Sequence, residues 1–336
     1  MKRFRTHFNG YSVEFSPFEE NKLACATSQH FGIIGNGRQY VLDVMDRDIA
    51  MFRVYDTRDG LYDCTWSEEN ECHLASASGD GSIKIWDTQA PSGERPIRSY
   101  EEHTKEVYAI DWNLVNKDCF VTGSWDHSIK LWNPRADRSM RTFREHRYCI
   151  YSTVWSPRSP HLFASVSGDT TLKIWDQRHS QSVNTIKAHD NEVLTCDWNK
   201  YNESEIVTGS VDKTIRIWDI RFPDRPTAIL RGHTYAVRRL KCSPHSPSML
   251  ASSSYDMSVI IWDRARDDPM VAKMDHHTEF VVGLDWNMFI DGQMASCSWD
   301  EHVCVWNLGR MPPPSHNFGG GGGGGMQQPP PPQPHR

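Results

Sequence analysis

The sequence predicts an all-β fold of seven four-stranded sheets, set radially about an axis and closed into a ring by an N-terminal strand. Three observations predict it. A unit of about 44 residues recurs along the chain, each full copy ends on the same kind of tryptophan-bearing strand, and the copies carry a histidine, a hydroxyl residue and an aspartate at fixed offsets. The closing tryptophans are Trp86, Trp132, Trp175, Trp218, Trp262 and Trp306, at intervals of 46, 43, 43, 44 and 44. A repeat of this length is one supersecondary unit that buries its apolar face only against its neighbours, so the units together form one domain.

Along the chain, the first unit starts at Thr6, and residues 6–26 align with the unit that starts at His103. Thr6 stands in the histidine position and the terminal Trp-Asp is missing. The second unit has Thr57 in the histidine position and ends in Ile85-Trp86-Asp87. The five remaining units are complete. Their histidines (His103, His146, His189, His233, His277) lie 29 residues before the tryptophan and 23 before an aspartate (Asp126, Asp169, Asp212, Asp256, Asp300). Four residues ahead of each aspartate comes Thr122, Ser165, Thr208, Ser252 or Ser296. Within a unit, runs rich in Val, Ile, Thr and Trp are separated by turn signals such as Gly79-Asp80-Gly81, the pattern of strands and tight turns. The period and the closing Trp-Asp resemble the WD repeat, the blade of a β-propeller. That resemblance implies that His, Ser/Thr, Asp and Trp form a hydrogen-bonded tetrad tying the loop that enters a blade to the turn between its second and third strands.

Each complete unit begins with an outer strand, as at Pro96–Tyr100, yet only a few residues and a proline run follow Trp306. Lys2–Arg5 is expected to supply the missing strand of the last blade and so remove an open sheet edge. The propeller is expected over residues 1–310. Residues 311–336, MPPPSHNFGGGGGGGMQQPPPPQPHR, bury too little to offset their ordering entropy and are expected to be a disordered tail.

A histidine, a hydroxyl and an aspartate invite comparison with a hydrolase triad. An enzyme needs its nucleophile and base once, beside one substrate, whereas this set recurs with every unit. The expectation is a scaffold without catalysis, cofactor or metal. Nine cysteines without a CxxC pair argue against a disulfide framework or zinc site and for a reducing compartment. No apolar run is long enough for a membrane span, and the basic start lacks the apolar core of a signal peptide. With 37 basic against 43 acidic residues, the net charge of −6 argues against nucleic acid and for a basic ligand.

Function is then expected on the rim of the narrow face. The residues five past each histidine position are Tyr11, Tyr62, Tyr108, Tyr151, Leu194, Arg238 and Val282. Those three past include Glu106, Glu192 and Phe280, and those before the tetrad aspartate include Trp125, Tyr255 and Trp299. Aromatic residues beside a few acids make a binding surface.

A narrower resemblance rests on FNGYSVEFSPF (8–18), GLYDCTWSE (60–68), SGDTTLKIWDQR (167–178), TCDWNKYN (195–202), GSVDKTIRIWDIR (209–221), GHTYAVRRLKCSPH (232–245) and HTEFVVGLDWN (277–287). These segments resemble the family of receptors for the type 2 peroxisomal targeting signal, the seventh peroxin family, over about Phe4–Leu308. The resemblance implies a non-enzymatic import receptor, cytoplasmic and cycling to the peroxisome. Its partners would be cargo bearing that signal, a co-receptor (the long form of the type 1 signal receptor or a fungal-type one) and the peroxisomal docking complex. The family's signal has a basic residue and Leu, five looser positions, then His or Gln and Leu or Ala; in a helix the polar ends align beside an apolar stripe. From the register, Glu106 and Glu192 are assigned to the basic groups, with Asp63 in reserve. Tyr62, Tyr108, Trp125, Tyr151, Phe280 and Trp299 are assigned to the leucines. An alternative is a substrate receptor of a cullin ubiquitin ligase, because WDQR (175–178) and WDIR (218–221), with Arg178 and Arg221, resemble the docking motif of some WD proteins.

Overall fold

The computed structural model describes residues 1–310 apart from residue 34; the tail expected at 311–336 lies outside the described residues. Seven four-stranded antiparallel sheets form blades I (9–57), II (61–100), III (107–143), IV (150–187), V (193–231), VI (237–274) and VII (281–307 with 2–5). Lys2–Arg5 is the outermost strand of blade VII, in register from Lys2 opposite Val305 to Arg5 opposite His302. The ring therefore closes with strands from the two ends of the propeller.

The apolar residues of each strand are divided between two seams, and the core follows that division. There is one buried cluster per seam: Val13, Leu23 and Val303 between VII and I, Tyr55, Trp66 and Trp86 between I and II, and so on around the ring. The seams around blades III to VI repeat the pattern, with Trp112, Trp132, Trp155, Trp175, Trp198 and Trp262 all 2% exposed or less. Burying a large apolar side chain is worth about 2–3 kcal/mol, so every seam is a small core of its own.

Each of the five tetrads has the same geometry. The His Nδ1 to Asp Oδ2 distances are 2.8–2.9 Å. The His Nε2 to Ser/Thr oxygen distances are 2.7–2.9 Å. Trp132, Trp175, Trp218 and Trp262 donate Nε1–H to the same hydroxyl at 2.8–3.0 Å. In blade VII the Trp306 bond is 3.5 Å, because Ser296 Oγ is shared with His276 Nε2 at 3.1 Å. A hydroxyl that meets both an imidazole and an indole N–H, and is 0% exposed at Thr122, Ser165, Thr208, Ser252 and Ser296, is beyond the reach of any substrate carbonyl. Burial alone would raise the aspartates. Bonds from the histidine and from the hydroxyl residue two positions on outweigh it, and Asp126, Asp169, Asp212 and Asp256 are held well below the usual carboxylate range.

Blade II keeps part of this set: Trp86 Nε1 donates to Ser76 Oγ at 2.9 Å, and Asp80 accepts the Ser82 N–H at 2.9 Å. The residue after each tetrad aspartate is left-handed, at His127, Thr170, Lys213, Met257 and Glu301, with φ of 65–70°; blade II has Gly81 there at φ 83°. A side chain in that region is strained by about 1–2 kcal/mol. Met257→Gly is therefore expected to leave stability unchanged or raise it by up to about 1 kcal/mol, where glycine normally costs about 0.5–1 kcal/mol. Urea denaturation decides it, and a loss of stability refutes the strain account.

Candidate functional site

All seven innermost strands carry a one-residue bulge at the same place, between the flanking residues of Tyr11, Tyr62, Tyr108, Tyr151, Leu194, Arg238 and Val282. A bulge takes its extra residue out of the ladder and re-aims the side chain. Here the seven re-aimed residues come from the start of each innermost strand, and several of them meet in one largely aromatic cluster at the mouth of the channel. It comprises Tyr11, Tyr62 and Val282, with Tyr108, Tyr255, Phe280 and Trp299 packed against them.

The rings run as a continuous arc. Tyr255 stacks on Phe280 at 4.7 Å, Phe280 meets Trp299 at 5.2 Å and Trp299 meets Tyr11 at 5.7 Å. Tyr11 meets Tyr62 edge-on at 5.1 Å, Tyr62 stacks on Tyr108 at 4.6 Å, and Tyr108 stacks on Trp125 at 5.1 Å. Tyr151 closes edge-on against Tyr108 and Trp125, and its hydroxyl donates to Glu192 Oε2 at 2.9 Å. Burial pushes the Tyr108 phenol up to about 12, with the Arg238 guanidinium opposing it. Glu106 stands beside Trp125, whose backbone N–H donates to the Glu106 carbonyl at 3.0 Å. Both glutamates are half-buried, and among the described residues neither is ion-paired with a lysine or arginine.

Six of the nine assigned residues thus line one face with their side chains half-buried: Tyr108, Trp125, Tyr151, Phe280, Trp299 and Glu106; Glu192 joins them through Tyr151. Two differ from expectation. Asp63 is 4% exposed and belongs to the channel wall, because it lies one position past the bulge. Its carboxylate accepts the Ile110 N–H at 3.1 Å and pairs with Arg239 at 2.9 Å, so it is no reserve for a ligand's basic group. Tyr62 is only 7% exposed and is roofed by Gly32 (φ +75), where an added Cβ would lie 2.8 Å from the Tyr62 hydroxyl.

That roof is a feature the spacing did not announce. In blade I, the second and third strands are joined by residues 29–36 instead of a tetrad turn. His30 and Phe31 are left-handed there, the Asn9 carboxamide oxygen accepts the Phe31 N–H at 2.8 Å, and Tyr11 Oη donates to the Phe31 carbonyl at 2.8 Å. Phe31, 48% exposed, meets Trp299 at 5.2 Å and extends the aromatic face outward. Arg238 was visible in the register as the one basic residue among the re-aimed positions, but not its placement: it is 3% exposed, 5.1 Å over the Tyr108 ring.

Below this layer, carboxylates join blade to blade: Asp285 accepts from Phe15 N, Asp111 from Trp155 N and Asp197 from Cys242 N, at 2.9, 2.6 and 2.7 Å. Burial pushes Asp111 up to about 7 and raises Glu14 and Asp285. Arg178 and Arg221 are about 60% exposed, each closed as a fork on its own strand's Asp176 or Asp219. His276, His277 and Cys304 bring possible metal-ligand atoms within 4.8 Å of one another, but both ring nitrogens of His277 are engaged by Asp300 and Ser296. All nine cysteines are free.

A family model for the WD domain, G-beta repeat, matches residues 51–87, 94–133, 137–176, 180–219, 224–263 and 269–307. Its matches begin in or just before the outer strand of one blade and end at the third strand of the next, and they leave out most of blade I. The peroxisomal targeting signal 2 receptor of Dictyostelium discoideum is 89% identical over 246 residues, 73% of this chain and 78% of that protein. Peroxisome biogenesis protein 7 of Arabidopsis thaliana is 50% identical over 134 residues, 39% of this chain and 42% of that protein. The peroxisomal targeting signal 2 receptor of Homo sapiens is 47% identical over 132 residues, 39% of this chain and 40% of that protein.

Proposed function

The chain belongs to the WD-repeat family and, within it, to the peroxisomal targeting signal 2 receptors, and from that membership we propose that it is a cytosolic cargo receptor that binds the type 2 signal of peroxisomal matrix proteins as a helix. The observation that carries this reading is the aromatic arc with Glu106 and Glu192 at its edge. Rings from blades VI, VII and I to IV offer apolar contact to the leucine stripe of an amphipathic helix, and two carboxylates without an ion-pair partner among the described residues are available to its basic side chains. The receptor cycles to the peroxisome with its cargo and a co-receptor, and its partner there is the docking complex. The ubiquitin-ligase alternative rests on Arg178 and Arg221, and both guanidinium forks are already engaged by their own aspartates.

A charge-assisted contact is worth about 1.5–3 kcal/mol when desolvated, and reversing one partner adds repulsion. Glu106→Lys is expected to weaken binding of a synthetic signal peptide by at least about tenfold while the protein stays folded. Changing the peptide's basic residue to Glu should partly restore it. Calorimetric titration at low salt tests this, and a Glu106→Lys, Glu192→Lys double variant that binds the unmodified peptide as tightly as the parent refutes the assignment.

A further inference from the structure

The floor of the aromatic funnel holds donor atoms without acceptors. Arg238 is 3% exposed; its guanidinium reaches the Tyr108 hydroxyl, but its Nη2 has no hydrogen-bond partner. Trp125 Nε1 and Trp299 Nε1 are likewise buried and unpartnered. The three come from blades VI, III and VII: Arg238 lies over the Tyr108 ring, Tyr108 stacks on Trp125, and Trp299 meets Tyr11 in the same aromatic arc. The neighbouring Arg239 shows the contrast, since it turns into the channel and pairs with Asp63 at 2.9 Å. Leaving a guanidinium buried with an unmade bond is expensive, and folded proteins rarely do so unless something else supplies the acceptor.

The arc around Arg238 supplies only ring faces and hydroxyls. Among the described residues no carboxylate is within ion-pair distance of it. The cation, with the Trp125 indole one ring away across Tyr108 and the Trp299 indole farther along the arc, leaves donors that seek oxygen. Glu106 and Glu192 attract the opposite charge at the edge. The funnel is therefore electrically polar, with acids at the rim and a cation on the floor.

We infer that Arg238 binds an oxygen acceptor of the docked peptide and thereby fixes the direction in which its helix lies. This rests on the reading of the funnel as the signal-binding site. Two sources share that chemistry. The last turn of any helix exposes carbonyl oxygens that lack intrahelical donors and carry the negative end of the macrodipole, and an acidic side chain presents a carboxylate. With the basic groups drawn to the rim acids and the acceptor drawn to Arg238, the helix has one favourable polarity and not two.

The test compares the parent with Arg238→Met, which keeps length and removes the donors, and Arg238→Lys, which keeps charge and removes the fork. The probes are synthetic type 2 signal peptides: one ending at the signal, one extended by a further helical turn that moves the free carbonyls, and one with every acidic side chain changed to its amide. Arg238→Met is expected to weaken the parent peptide roughly ten- to a hundredfold, with Arg238→Lys in between. Its Tm should be no lower than the parent's, because a buried unpaired charge has been removed. An Arg238→Met penalty that disappears with the extended peptide assigns the acceptor to the helix end, and one that disappears with the amide peptide assigns it to a side chain. Equal binding by Arg238→Met and parent overturns the inference alone, as does a Tm several degrees below the parent's, which would make the guanidinium part of the fold. If the parent binds no signal peptide, the reading of the funnel as a receptor site falls first, and this inference with it.

Discussion

A chain that begins at Thr6 is expected to lose its cooperative folded state, whereas one that ends at Met311 should melt with the parent. Lys2–Arg5 forms a four-residue ladder on His302–Val305, and Phe4 packs into the VII–I seam with its ring 5.9 Å from Tyr40. Arg5 pairs with Glu301 at 3.0 Å and Arg3 donates to the His276 carbonyl at 2.9 Å. A fully buried Phe lost costs about 3–5 kcal/mol, the half-buried Phe4 less, and each ladder bond about 1, against a total stability of about 5–15 kcal/mol. The truncation also bares the strand His302–Asn307, whose Val303, Val305 and Trp306 are buried in the intact ring. An exposed apolar edge of that kind pairs with other chains. Thermal melts with light scattering measure both effects, and Phe4→Ala provides a milder variant should the truncation fail to express. Equal melting of the two truncations would place the closure elsewhere.

Asp212→Ala is expected to cost about 3 kcal/mol, the lower end for breaking one side of a buried hydrogen-bonded pair, because the carboxylate keeps some contact with solvent. It removes the partner of His189 Nδ1 at 2.8 Å, of the Thr214 N–H at 2.9 Å and of the Thr214 hydroxyl at 2.6 Å. The pH dependence has a definite sign. Asp212 is depressed in the folded state, so its contribution is complete above the unfolded carboxylate value of about 4 and is lost as pH falls toward its lower folded value. The stability difference between parent and Asp212→Ala should therefore be widest near neutral pH and shrink below pH about 4. Urea titrations at several pH values measure it. A constant difference down to pH 2 would mean that the carboxylate is not what holds the turn. At temperatures where both are folded, signal-peptide affinity should be unchanged, since the tetrad does not reach the aromatic face.

Much of the architecture was legible because each blade repeats the same side-chain chemistry at the same offsets. His189, Thr208, Asp212 and Trp218 identify a blade without any neighbour, and the unit's need for an outer strand, which the sequence pattern offers at Lys2–Arg5, pointed to the closure. The aromatic face was legible too, since Tyr11, Tyr62, Tyr108 and Tyr151 fall at one register position. What did not show was direction at single-residue resolution. A bulge leaves sequence spacing untouched, so Tyr62 and Asp63 look like equal neighbours, although the bulge sends the first to the funnel and the second to Arg239. The roof over Tyr62 was hidden for a related reason: residues 29–36 interrupt a blade that has no tetrad to mark its turn. Arg238 was legible as a residue but not as an unpaired one, because pairing depends on what six other blades place around it.

The seven separate seams and the late-arriving partner of the first strand have a consequence for biogenesis. Arg5 and Glu301 are 296 residues apart in the chain, and synthesis runs from one to the other. At roughly 5–20 residues per second, Lys2–Arg5 waits many seconds on the ribosome before its partner strand exists. Meanwhile blades I to VI can stack one on the next, since each needs only its neighbour, leaving an open horseshoe with blade I's face uncovered. The entropy of closing so long a loop grows only logarithmically with length, so the obstacle is exposure during the wait more than the final search. A newly made chain is then most vulnerable to holdase chaperones and to mispairing at this one seam, and pulse-labelled nascent chains stalled before residue 302 should be captured there while released chains are not.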